Sequence, residues 1–331
     1  MYKYITVAKG IGIILVIMGH FTSSLYMPTY YTEMKTWIFS FHMPLFMLLA
    51  GFLFQLSISK KEENYSIKSF VYKKFRRLMI PYFFISFAIA GLNLVLGQFV
   101  TVKRTVDWHY LTEIFYTNVG GSAVFLWFMY SLFVIFIIAV LFSQLKHGFI
   151  WMGLCSLFLF FIPLPNVFYL SAVHSYLFYF WCGCCLFVLQ KKQLLRLSLK
   201  ELLCSAVVFA LFYGTYHTMG HVGTLLTVEK LICGVAGSFL IICLSRKMLD
   251  SENRFTRWIT IIGEYSAYIY LLHMIGVYLS RILFERIAIF TPAAYFLALC
   301  LAVVLGVLIP MGLTKQLIYR NKYLMLLMGG K

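Results

Sequence analysis

The sequence predicts an all-α protein, a polytopic membrane bundle of about ten transmembrane helices with both termini cytoplasmic. Three observations carry this expectation. Of the 331 residues, 62% are hydrophobic, 19% aromatic and only 12% charged, about half the charged fraction of an ordinary soluble domain. Apolar runs long enough to cross a bilayer recur from end to end, not as one core plus one anchor. Lys and Arg fall mostly in short segments between those runs, and their density alternates from one loop to the next. The net charge of +17 therefore reflects topology and contact with membrane lipids. It does not point to nucleic acid.

The spans read as 5–25, 37–57, 78–99, 123–143, 149–164, 168–190, 199–219, 225–245, 258–280 and 290–317. The first is kept as a span and not read as a cleaved leader, because Lys9 interrupts its start and no small-residue cleavage site follows. The fifth is short and ends in Pro163-Leu-Pro165, so it is expected to be tilted, broken or partly re-entrant. The segment 59–77 holds Lys60, Lys61, Lys68, Lys73, Lys74, Arg76 and Arg77. The opposite side offers only Lys35, Lys103, Arg104, Arg281 and Arg286. That asymmetry puts the dense side in the cytoplasm and requires an even number of spans. No stretch is long and polar enough for a soluble domain, so residues 1–331 are expected to form one membrane domain. All eight cysteines lie in or beside apolar segments. Even Cys182-Gly-Cys-Cys185 has no second pair and no nearby His, so no metal is expected there.

Within this frame the ionisable residues in apolar segments stand out, because each is costly in a bilayer. Lys9 and His20 are eleven residues apart, which on a helix is about 16 Å along one face. His20, His42 and His273 come from three different spans, each placed about 7–11 Å below the outer surface by the span ends above. On the inner side, Arg76 and Arg77 stand where span three enters the membrane, able to clamp a phosphate through bidentate guanidinium contacts. Trp127 lies just inside the outer end of span four, where an aromatic belt would also put it. Glu264 is read as an intramembrane carboxylate, as a snorkelling one, or as a partner of Arg257. Glu229 reads as a structural pair with Lys230. His109, His217 and His221 fall in or near outer loops, where an imidazole needs no special role.

Four stretches together resemble the membrane-bound acyltransferase-3 family, and within it the fucose 4-O-acetylase-like branch. They are Lys9-Gly-Ile-Gly-Ile-Ile-Leu-Val-Ile-Met-Gly-His20; Phe39-Ser-Phe-His-Met-Pro-Leu-Phe46 continuing to Ala50-Gly-Phe-Leu-Phe54; Lys74-Phe-Arg-Arg-Leu-Met-Ile-Pro-Tyr82; and Ile262-Gly-Glu-Tyr-Ser-Ala-Tyr-Ile-Tyr-Leu-Leu-His273. The resemblance covers essentially the whole chain. It implies an integral protein of the bacterial cytoplasmic membrane that moves an acyl group, usually acetyl from cytoplasmic acetyl-CoA, to a hydroxyl of a cell-surface or lipid-linked glycan. Acetyl-CoA would be a co-substrate, with no bound cofactor. Lys9 and His20 match the family's pattern of a basic residue followed by His in the first helix. With no further domain after span ten, acceptor recognition is expected to use the membrane domain and its outer loops, notably 100–122.

The residues suit that chemistry. A sugar hydroxyl attacking a thioester needs a base, and a neutral imidazole accepts a proton near neutral pH. His20 is the candidate base or acyl relay. His42 would orient it or stabilise the oxyanion. Lys9, Arg76 and Arg77 would hold the donor's phosphates, with Trp127, Glu264 and His273 as further site candidates. Two other classes remain open at this point. Midplane ionisable residues and broken helices also suit a transporter of a glycan or small metabolite, against which stand the lack of internal repeats and of acidic residues for ion coupling. A structural partner in a polysaccharide-synthesis complex is the third.

Overall fold

The computed structural model describes residues 2–60, 66–96, 106–117, 123–251 and 253–330. Helix accounts for 81% of the structure, with no strand among the described residues. In chain order the helices are α1 (Lys3–His20), α2 (Thr29–Phe39), α3 (His42–Ser59), α4 (Ile67–Leu96) and α5 (Trp108–Tyr116). There follow α6 (Trp127–Phe142), α7 (Gly148–Phe160), α8 (Leu170–Lys191), α9 (Leu199–Thr218) and α10 (Gly223–Met248). The last are α11 (Arg254–Glu264), α12 (Ser266–Ile287), α13 (Pro292–Leu313) and α14 (Lys322–Leu327). Nine segments among the described residues are long and apolar enough to cross a membrane, and α7, at 13 residues, is a shorter apolar helix. The expected all-α bundle is what forms. Lys61, Lys103, Arg104 and, from the outer loop singled out above, 100–105 and 118–122 lie outside the described residues.

Three spans start elsewhere than the sequence expectation. The third begins not at 78 but at Ile67, which puts Arg76 and Arg77 inside α4 and not at its entry. The second apolar segment runs over Thr29–Ser59, as α2 and α3 separated by Ser40 and Phe41; it begins before 37 because Thr32, Glu33 and Lys35 do not stop a helix that carries its apolar residues elsewhere. The ninth span is not 258–280 but Ser266–Ile287. The apolar string Trp258–Ile262 that suggested an earlier start belongs to α11, a separate helix. It is started by Asn253, whose side chain accepts from the Thr256 N–H at 2.8 Å, and it ends at Glu264. A linear window sums the two helices because only Tyr265 separates them.

The chain divides into two compact units, one made of Met1–Leu53 and Cys182–Gln316, the other of Phe54–Trp181 and Leu317–Lys331. In the first unit α1 is the central element, packed against α2, α10, α11, α12 and α13. A helix that is apolar all round is a buried helix. Ile13, Val16 and Ile17 are fully buried and share a core with Tyr31, Ile269 and Tyr295. Close approach in the first half of α1 depends on two glycines. A Cβ on Gly10 would fall 2.1 Å from the Ile259 carbonyl oxygen, and one on Gly263 would fall 1.9 Å from that of Thr6. Such small-residue seams are how helices pack where lipid removes the hydrophobic drive to associate. Buried hydroxyls are satisfied on their own helices: Ser238 donates to the Gly234 carbonyl at 2.6 Å, Ser245 to Ile241 at 2.7 Å and Ser280 to Gly276 at 2.9 Å, which avoids the cost of an unpaired polar group.

The second unit is organised by aromatic contacts among Phe54, Phe70, Phe136 and Phe180. Tyr82 on α4 donates to the Ile114 carbonyl of α5 at 2.8 Å, and Trp181 on α8 donates to Phe149 of α7 at 2.9 Å. Pro81 lies inside α4 and has no N–H to offer the Arg77 carbonyl four residues earlier. Gly329, at φ +74°, packs against that carbonyl.

Candidate functional site

His20 is the last residue of α1, so the helix presents its imidazole at its end and not one turn short of it. The chain beyond is fixed by hydroxyls that reach the carbonyls this helix end leaves without partners. Tyr31 donates to the Met18 carbonyl at 2.8 Å and Tyr295 to the Phe21 carbonyl at 2.9 Å. Ser23 then donates to Glu285 at 2.7 Å. Both tyrosines are fully buried, so they set the position of His20 through its backbone.

The ring of His20 meets that of His273 edge-on at 5.1 Å between centroids, and that of Phe39 at 6.5 Å. Phe39 in turn lies 4.9 Å from His42. The three histidines that sequence depth singled out thus come together, although the depth argument used the wrong ends. His273 stands seven residues into α12 and fourteen before its end, and His42 is the first residue of α3. The nearer partner of His20 is His273; His42 joins through Phe39.

Each imidazole is fixed by the same device. Nδ1 lies 2.7 Å from the Val16 carbonyl in His20, 2.9 Å from Ile38 in His42 and 2.8 Å from Tyr270 in His273. A carbonyl only accepts, so Nδ1 carries the proton in each ring and Nε2 is left as the acceptor nitrogen. His42 is 4% and His273 0% exposed, whereas His20 is half-buried. Of the three, His20 is the one whose residue is not fully buried.

Phe39 was part of a recognised stretch but was not itself read as a site residue, and nothing in its spacing would have marked it. It is 44% exposed and can close on His20 because residue 19 is glycine: a Cβ there would lie 2.4 Å from Phe39 Cε1. Gly19→Ala is therefore expected to push the ring aside at little cost in stability, since the ring is free to swing outward. Turnover should fall about tenfold if the ring holds the site closed, as overpacked contacts give by rearranging. Adding Phe39→Leu should recover part of the loss. Thermal unfolding measured beside turnover in the single and double variants checks both halves.

The remaining candidates are placed as follows. Lys9 is half-buried on α1, on one continuous helix with His20, as expected. Glu264 is exposed at the end of α11, a helix too short to be a candidate span by itself, and it makes no ion pair with Arg257. Glu229 is 2% exposed and bonds His221 Nδ1 at 2.9 Å, so His221 does have a structural partner. The other three candidates belong to the second unit. There Lys74 rests 3.7 Å from the Phe136 ring centroid, while Arg76 is half-buried and Arg77 exposed. Trp127 begins α6 and lies tilted against Tyr176 at 5.2 Å between ring centroids, a packed aromatic at a helix end.

A family model described as an acyltransferase domain matches residues 2–311, which includes every residue of the histidine cluster. No curated protein and no solved structure matches the chain.

Proposed function

We propose, since the chain belongs to the acyltransferase-3 family, that it transfers acetyl from cytoplasmic acetyl-CoA to a sugar hydroxyl of a cell-surface or lipid-linked glycan. The family carries the coarser statement directly: this is an integral membrane protein that moves an acyl group from a donor to a carbohydrate acceptor. The observation that supports the finer reading is the state of His20. Its Nδ1 is occupied by the Val16 carbonyl, which leaves Nε2 as an acceptor, and the residue is half-buried where His42 and His273 are buried.

In this reading His20 Nε2 takes the proton of the acceptor hydroxyl as its oxygen attacks the thioester carbonyl; the C–S bond breaks and the thiolate leaves. In the relay version Nε2 itself attacks the thioester carbonyl, the C–S bond breaks and the thiolate leaves, so the acyl group rests on the imidazole; the acceptor oxygen then displaces the imidazole and its proton passes to the thiolate. His273 and, through Phe39, His42 hold the ring in place. Lys9 supplies a cation at the donor end of α1, and the guanidiniums of Arg76 and Arg77 supply, within their own unit, contacts suited to the donor's phosphates. The Lys and Arg asymmetry supports cytoplasmic termini and, with the acceptor class, a bacterial cytoplasmic membrane.

Mass spectrometry of surface glycans from cells with and without the gene tests the reading. An acetyl increment present only with the gene is expected, together with acetyl-CoA binding or hydrolysis by the purified protein. Identical glycans and a protein inert toward acetyl-CoA overturn it.

A further inference from the structure

Lys35 lies on α2, four residues before Phe39 and hence on the same helix face. Its ammonium sits 5.3 Å from the Phe39 ring centroid. That centroid is 6.5 Å from the His20 ring, so the charge lies within about 12 Å of the proposed reacting nitrogen's ring. Lys35 is half-buried and makes no ion pair with any described carboxylate. Among the described acids of this unit, Glu285 accepts from Ser23, Glu229 bonds His221, Glu201 accepts from Ser198 and Asp250 pairs with Lys247. Glu264 is exposed at the end of α11, and Glu33 is exposed two residues from Lys35 on the same helix. A second outer cation has the same character. Arg281 rests on Tyr278 at 4.7 Å, and its Nε is buried without an acceptor among the described residues.

A partly desolvated ammonium without a counter-charge, held over the ring that touches both His20 and His42, is a poor arrangement for a neutral ligand and a good one for an anion. We propose that Lys35 reads a carboxylate or phosphate on the acceptor, so that the acceptor is an anionic sugar. This rests on the acyl-transfer reading. The anion would be placed one or two sugar units from the hydroxyl that meets His20, giving orientation as well as affinity.

The test uses the full-length protein in phosphatidylcholine nanodiscs with three probes: methyl glucuronide, glucose 1-phosphate and methyl glucoside. Equilibrium binding is measured for wild type, Lys35→Ala and Lys35→Arg, and acetyl transfer from acetyl-CoA is measured in parallel. Wild type should bind one or both anionic probes about five- to tenfold more tightly than the neutral one, as expected of a charge-assisted contact. Lys35→Ala should erase that preference through KM, and Lys35→Arg should keep it. Equal binding of all three probes, or a preference that survives Lys35→Ala, overturns the inference whether or not transfer continues. Selectivity that depends on Lys35 without any transfer sustains the inference and removes the acyl-transfer reading. A Lys35 effect seen only when phosphatidylglycerol replaces phosphatidylcholine assigns the cation to lipid headgroups and overturns it.

Discussion

Replacing His20 by alanine is expected to lower acyl transfer by about two to four orders of magnitude, the range a positioned general base contributes. The protein should remain folded and membrane-inserted. His20 ends α1 and is half-buried, so its side chain carries little of the packing. The turn beyond it is held by Tyr31 and Tyr295 through main-chain carbonyls that the substitution leaves in place. His42→Ala and His273→Ala should behave differently. Both rings are buried, so their loss opens cavities that cost stability and slackens the position of His20, with a smaller fall in turnover. The measurement is transfer rate beside thermal unfolding for all three variants. A His20→Ala protein with near-normal turnover would sink the assignment of the base. Rapid quenching distinguishes the two chemistries, because a relay leaves an acyl-imidazole that hydroxylamine captures and a general base leaves none.

What could be read in the sequence divides along physical lines. Helix and membrane character follow from composition and long apolar runs, properties that sum along the chain, and these gave the bundle and the residues His20, His42 and His273. Boundaries did not follow where two helices abut. Only Tyr265 parts α11 from α12, and a window average cannot see a cap as local as Asn253 on Thr256. That single fusion displaced the ninth span, and with it the span ends from which the depth of His273 was counted. The histidine cluster was legible as a depth coincidence, but which ring neighbours which was not. Lateral proximity depends on how α1, α2 and α12 rotate about one another, and the two features that fix it, the absent Cβ at Gly19 and the tyrosine hydroxyls at Met18 and Phe21, carry no chemical signature of their own. Lys35 looked like one of a few outer charges; its position over Phe39 gives it a candidate role.

The second large effect expected is on folding and not on chemistry. Gly263→Leu should destabilise the protein by about 3 kcal/mol or more, in the upper tail of single substitutions. The reason is that the nearest atoms are main chain. A Cβ at 263 would stand 1.9 Å from the Thr6 oxygen and 2.8 Å from its carbonyl carbon, and no rotamer change can move either. Helix α1 would have to separate from α11 by more than an ångström, while the reciprocal contact of Gly10 with the Ile259 carbonyl keeps the two together one turn further on. A close-packed interior resists such a shift. Because α1 is one continuous helix from Lys3 to His20, displacement in its first half would also tilt the end that carries the imidazole, so surviving protein should turn over more slowly. Gly214→Ala and Gly312→Ala serve as controls, since a Cβ at either meets nothing within 4 Å. In a helix they should be neutral or stabilising by up to about 1 kcal/mol. Thermal unfolding in nanodiscs compares the three. If Gly263→Leu unfolds with the controls, the α1–α11 seam does not hold the helix that positions His20.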